Sequence, residues 1–107
     1  MPTAHEMYDQ AIQLKQEGDL EAAIAKLNEV TALDAKHVDA HSALAVFHQK
    51  LGQFEAAVEH AKKVCELKPN DPFSFTQLSV ICVKCGMIQE AEDARALAHE
   101  AQARANS

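Results

Sequence analysis

Glu17-Gly18-Asp19-Leu20-Glu21-Ala22-Ala23-Ile24 returns 34 residues later as Leu51-Gly52-Gln53-Phe54-Glu55-Ala56-Ala57-Val58. After the same interval it returns again as Cys85-Gly86-Met87-Ile88-Gln89-Glu90-Ala91-Glu92. Gly18, Gly52 and Gly86 are the only glycines in the chain. A fixed period of this length marks a solenoid of stacked units. Each copy predicts the same local structure. A first helix stops at the glycine, which takes the left-handed conformation that other residues resist. A large apolar residue (Leu20, Phe54, Ile88) then opens a second helix. An alanine three positions on (Ala23, Ala57, Ala91) lets the two helices approach closely. Val30, Val64 and Ala98, then Leu33, Leu67 and Ala101, continue one face at helical spacing. In the first helices, Ala11, Ala45 and Ser79 fill the matching close-contact site.

The spacing therefore predicts helices near 4–17, 20–33, 38–51, 54–67, 72–85 and 88–104, paired as three antiparallel hairpins. Boundary signals agree. Thr3-Ala4-His5-Glu6 fits a capping box, Asp19 can cap the second helix, and Asp71-Pro72 supplies an N-cap and a first-turn proline for the fifth. The expected class is all-α. The composition supports this, because 48% of residues are hydrophobic but only 5% aromatic, with alanine dominant and no sustained strand pattern. The last helix carries Glu92 and Arg95 where the earlier second helices carry Ile24 and Val58, then Leu27 and Ala61. A stack needs a polar outer face at its ends, so this helix is expected to act as the cap. The amino-terminal end looks less clearly sealed.

A net charge of -6, without a dense Lys/Arg cluster, argues against nucleic acid and against an anionic membrane surface. No stretch is apolar enough to span a bilayer, and the opening residues contain no signal core. Three cysteines without export signals point to a reducing, cytoplasmic setting.

With its period, glycines and alanines in one register, the chain resembles the tetratricopeptide repeat family, whose pattern is W-x2-L-G-x2-Y…A-x3-F…P. The bulky opening site holds Met7, His41 and Phe75, and the following Leu site holds Gln10, Leu44 and Leu78. Leu14, His48 and Cys82 stand at the Tyr site, while the Ala site is fully matched by Ala23, Ala57 and Ala91. The Phe site has become Leu27, Ala61 and Arg95, and Pro69 alone represents the closing proline. The resemblance covers residues 4 to about 104. It implies one domain over 1–107, a right-handed α-solenoid with repeats at about 4–37, 38–71 and 72–105. It further implies a non-catalytic protein-interaction module or scaffold whose first helices line a concave groove.

Carried through that register, the groove offers an apolar strip of Tyr8, Ile12, Val46, Phe73, Val80 and Val83. Lys15, Lys50 and Lys84 edge the strip, and Gln77 lies within it. Such a surface suits a peptide or helix with apolar anchors and some acidic residues. Some family members grip a chaperone's terminal carboxylate with cationic and amide side chains. The corresponding sites here are Tyr8, Ile12, Ala43, Phe73 and Gln77, so that clamp is expected to be absent. Packing between neighbouring first helices is the competing role, most of all for Val46 and Val80. Burial of the strip against a second copy, giving a homo-oligomer, is the alternative.

Cys82-Val83-Lys84-Cys85 forms a C-x-x-C, but at the end of a helix, where the dipole disfavours a thiolate. Core packing of Cys82 is therefore expected over metal or redox chemistry. His41 and His48 lie two turns apart and read as satisfied core histidines, predicting lower stability as pH drops below about 6. His5, His37, His60 and His99 show no spacing that builds a site. No phosphate-binding loop, zinc-protease motif or nucleophile elbow is present, so neither enzyme activity nor a cofactor is expected.

Overall fold

A computed structural model describes residues 1–107. Six helices follow one another: α1 (Ala4–Gln16), α2 (Leu20–Leu33), α3 (Val38–Lys50), α4 (Phe54–Leu67), α5 (Pro72–Lys84) and α6 (Ile88–Ala105). Each falls within a residue of its sequence-based bounds. The first turns form for stated chemical reasons. The Thr3 hydroxyl accepts from the Glu6 amide at 3.1 Å while the Glu6 carboxylate accepts from the Thr3 amide at 3.3 Å, completing the capping box. Asp19 accepts from Ala22 N–H at 3.0 Å, and Asp71 accepts from Phe73 N–H at 3.1 Å. The cap of α3 was not anticipated: His37 Nδ1 accepts from Ala40 N–H at 3.1 Å.

The glycine turns are built alike. Asp19, Gln53 and Met87 donate to the carbonyls of Leu14, His48 and Cys82, at 3.0, 2.8 and 2.8 Å. Gly18, Gly52 and Gly86 donate to Lys15, Gln49 and Val83, each at 3.0 Å. This paired arrangement satisfies the last carbonyls of the first helices and requires positive φ at the glycine, +75° at Gly52. A Cβ at Gly52 would meet no atom within 4 Å, so only backbone conformation opposes a side chain there. Gly52→Ala should therefore cost about 1–2 kcal/mol of unfolding free energy, read from urea melts. A neutral substitution would contradict the left-handed turn.

Each hairpin closes on alanine. Ala11, Ala23, Ala45 and Ala57 are fully inaccessible, and Ser79 replaces the alanine in α5 by donating its hydroxyl to the Ala91 carbonyl at 3.0 Å. Two core clusters result. One joins α1, α2 and the near face of α3 around Leu27, Val30, Leu44 and Phe47. The other joins α3 through Ala45 to α4, α5 and α6, with Val58, Ala61, Leu78, Ile81 and Cys82. The α3 helix belongs to both, so it connects the hairpins into one stack measuring 43 × 30 × 20 Å. The radius of gyration, 14.2 Å, exceeds the about 13 Å of a compact chain of this length, as a short solenoid should.

At both ends of the stack, polar side chains stand at sites that are buried between repeats. At the carboxyl end, Glu92 and Arg95 are exposed where Val58 and Ala61 are buried one repeat earlier. At the amino end, Glu6, Gln10 and Gln13 stand exposed at the sites where Ala40, Leu44 and Phe47 are buried one repeat later. That end is thus better sealed than the sequence pattern suggested.

Candidate functional site

The first helices form one layer. Within it α3 and α5 touch directly, while no comparable contact joins α2 to α4 or α4 to α6. α1 and α3 make no comparable contact, and the tetratricopeptide resemblance is what places the groove on the side of the first helices. Gln77 ties the layer together by donating its amide to the Ser42 hydroxyl at 2.8 Å and the Ser42 carbonyl at 3.3 Å. Gln77 thus forms a clasp between the two helices.

The anticipated apolar strip divides along the groove. Ile12 and Val46 are half-buried against the amino-terminal cluster. Tyr8 packs there too and stacks on the His37 ring at 5.3 Å. Burial pushes the Tyr8 hydroxyl above its usual range, and Asp39 and Asp9 add to the effect. The α5 residues behave differently: Phe73 is 77% exposed, Val83 55% and Val80 47%. Val46, named for the groove with packing as its competing role, is half-buried, whereas Val80, named in the same way, faces solvent. Large apolar side chains on a helix that is otherwise well packed mark a surface available to a partner.

Lys15, Lys50 and Lys84 each sit in the last turn of α1, α3 and α5. There a positive charge complements the carbonyl end of the helix. All three are exposed, and none belongs to the ion pairs of the chain. Asp39 lies in the first turn of α3 and Asp9 stands midway along α1. The groove thus has a basic edge, with the exposed apolar residues on α5.

The cysteines are packing groups. Burial, with Asp71, Cys82 and Glu66 nearby, pushes the Cys65 thiol up to about 11, and its Sγ–H donates to the Ser74 carbonyl at 3.4 Å. Cys82 is fully buried and its thiol is likewise raised, mainly by desolvation. Burial raises the half-exposed Cys85 thiol as well. Protonated thiols are poor nucleophiles. No cluster of three or more His, Cys, Asp or Glu side chains is arranged to hold a metal ion.

The histidines need a correction. His60, which has no motif spacing to either neighbour, lies against both His41 and His48. His41 is buried, with Nε2 2.8 Å from the Ala35 carbonyl, so that nitrogen carries the proton. Its bare Nδ1 then accepts from His60 Nδ1–H at 3.0 Å. His48 stacks parallel on His60 at 5.7 Å and donates from Nδ1 to the Gln53 side-chain oxygen at 2.6 Å. His48 is half-exposed rather than core. The contact follows from hairpin geometry, since His41 and His60 lie almost equidistant from the turn at Leu51-Gly52.

Burial, then the charges on His41 and His48, hold His60 below the ordinary histidine range, against a weaker opposing pull from Glu59. The unfolded chain therefore takes this proton more readily than the folded one. His60 should stabilise the fold above about pH 6.5, and stability should fall as pH drops from there toward its lowered value. His60→Gln should flatten that slope in urea midpoints taken from pH 7.5 to pH 5. An unchanged slope would contradict the assignment.

Fold and groove together define an all-α helical-repeat solenoid. The tetratricopeptide repeat family model matches residues 14–73, more than half of the sequence, and the chain belongs to that family. The match stops early in α5, ahead of the repeat whose second helix departs most from the pattern. No curated protein sequence matches the chain. Among solved structures it is similar to MamA, at 21% identity and a TM-score of 0.86 over 97% of this chain and 61% of that one. It thus spans about three fifths of the MamA structure. The Yersinia enterocolitica type III secretion translocator chaperone SycD is similar at 22% identity and a TM-score of 0.81, with 94% and 76% covered. The second repeat domain of Spaghetti (RPAP3), bound to the HSP90 peptide SRMEEVD, is similar at 19% identity and a TM-score of 0.79, with 90% and 89% covered. At these identities the likenesses establish the fold. No helix of the chain is long and apolar enough to cross a membrane.

Proposed function

We propose that residues 1–107 act as one non-catalytic protein-binding domain whose concave face holds a peptide or helix of a partner protein. The observation that carries this reading is the exposure of Phe73, Val80 and Val83 on the groove-lining helix α5, beside unpaired Lys84. An apolar strip with a charged border is what a helix-in-groove or extended-peptide partner requires. Acidic residues of the ligand would lie toward Lys15, Lys50 and Lys84. Use of this fold for a peptide has a parallel in the Spaghetti domain. Its ligand SRMEEVD should bind poorly here, because Tyr8, Ile12, Ala43, Phe73 and Gln77 place no cation at the clamp sites. Three free thiols fit a reducing, cytoplasmic setting.

A pull-down comparing the wild type with a Phe73→Ala/Val83→Ala variant tests the proposal, followed by titration of the purified partner. Loss of one partner by the variant, with its unfolding midpoint unchanged, is the expected result. Retention of every partner would overturn the groove as the site. Light scattering over a concentration series tests the alternative. A dimer dissociated by the same double substitution would assign the strip to self-assembly.

A further inference from the structure

A hollow of ≈ 300 Å³ lies between α3 and α5, inside the stack, with the end of α4 contributing to its lining. Val38 and Val64 give it apolar walls, and Phe73, 77% exposed, stands at its rim. The outward stance of Phe73 belongs to its repeat position. Asp39 is the equivalent residue one repeat earlier, and it is exposed although α5 packs beside α3. Three charged side chains line the hollow. Lys68 and Asp71 pair at 3.6 Å, and Asp71 also accepts from the Phe73 amide and the Ser74 hydroxyl. Asp39 is the third, and it enters no ion pair. Gln77 adds a second acceptor. Its Nε2 donates to both the hydroxyl and the carbonyl of Ser42, and that carbonyl, which can only accept, fixes how the amide points. The Gln77 side-chain oxygen takes no bond within the chain. No side-chain polar atom is buried without a partner, so this oxygen is open to solvent.

Open acceptors, one uncompensated negative charge, an exposed ring and apolar walls select a particular guest. A guanidinium brings five donors and a full positive charge, and it stacks flat on an aromatic face. The methylene stem behind it suits apolar walls. We propose that this hollow is the seat of one arginine side chain of the partner protein. The guanidinium reaches the Asp39 carboxylate and the Gln77 oxygen and rests its flat face on Phe73. A lysine ammonium fits less well, being compact, strongly hydrated and unable to stack. The net charge of -6 favours the approach of a cationic segment. The seat rests on the reading of the concave face as the peptide site, and it names one side chain that the peptide must carry.

The probe is the peptide acetyl-Ala-Arg-Ala-amide, titrated into the isotope-labelled full chain and followed by NMR. Saturable shifts, in the millimolar range suited to a single side chain, should appear at the amides of Asp39, Ser42 and Phe73 and at the Gln77 side-chain amide. The matching citrulline peptide keeps the shape and loses the charge, and it should bind about fivefold more weakly or worse; the lysine peptide should bind about threefold more weakly. Asp39→Asn and Phe73→Leu should each weaken arginine binding about threefold to fivefold. Both residues are exposed, and thermal melts check that each variant keeps the wild-type fold. Glu55→Gln, which removes an exposed carboxylate outside the hollow, should leave binding unchanged. No saturable shift at these positions, or binding that citrulline or lysine equals, would overturn the seat. Arginine binding indifferent to both Asp39→Asn and Phe73→Leu would do the same. Failure of the groove gives a different result. Loss of a partner by Phe73→Ala/Val83→Ala, with no arginine binding, keeps the groove and removes the seat alone. Retention of every partner by that variant removes the groove, and with it the arginine's place in a partner peptide.

Discussion

Replacing Ala61 with arginine should detach the third hairpin while the first two remain folded. Ala61 is fully inaccessible in the cluster that joins α4 to α5. The same repeat position one unit later is Arg95, which is exposed. Arginine is therefore compatible with this helix position, and only its surroundings decide the outcome. At position 61 the guanidinium would enter the buried cluster that contains Leu78, Ile81 and Cys82. Burying an unpaired charge costs several kcal/mol, and we expect a loss of about 4 kcal/mol or more. That is a large fraction of the about 5–15 kcal/mol typical of a folded domain. In a linear stack each interface contributes separately, so the damage should stay local. Amide hydrogen exchange should accelerate through α5 and α6 while α1 to α3 keep their protection. Ala61→Leu, which adds bulk without charge, should cost a smaller amount, about 1–3 kcal/mol. Wild-type stability in the arginine variant would show that the third hairpin does not stack through this face.

Leu44→Ala should cost about 2–5 kcal/mol, the range for emptying a fully buried leucine site. Leu44 is inaccessible and packs with Leu27, Val30 and Phe47, where α3 closes the first hairpin. Its loss leaves a cavity at the junction of three helices, which backbone movement can close only by separating them. Leu33→Ala is the comparison, since Leu33 is 61% exposed, and it should change stability by no more than about 0.5 kcal/mol. Urea denaturation of both variants checks the pair. Equal losses would contradict the division between the stripe that faces the core and the end of α2.

The difference between those two leucines marks how far the sequence could be read. Leu33 shares the helical face of Val30 and was assigned to the same stripe, yet α2 ends there and its last side chain projects into solvent. The glycines and alanines were legible because one backbone requirement, repeated three times, admits few residue types. The Cys82 packing role was equally legible, since its repeat position coincides with Leu14 and His48. Gln77 was not, because its amide finds Ser42 across two helices and no local pattern encodes that pairing. His60 was missed for a related reason. Its neighbours His41 and His48 are set by the crossing of two helices, not by spacing along one. For the groove, the register named the facing positions, but it could not tell Val46 from Val80. The same residue type at equivalent sites is half-buried against the amino-terminal cluster in α3 and is exposed in α5.

The central claim is that the inner face of the stack, on α5, is where a partner protein sits. Site-specific photocrosslinking tests it most directly, with a benzophenone residue at Thr76 on the inner face or at Glu55 on α4, both exposed in the free chain. Irradiation in the native extract should give one discrete adduct from position 76 that is absent from position 55. Phe73→Ala/Val83→Ala should abolish it. Adducts that are identical from both positions, or that survive the double substitution, would contradict the claim.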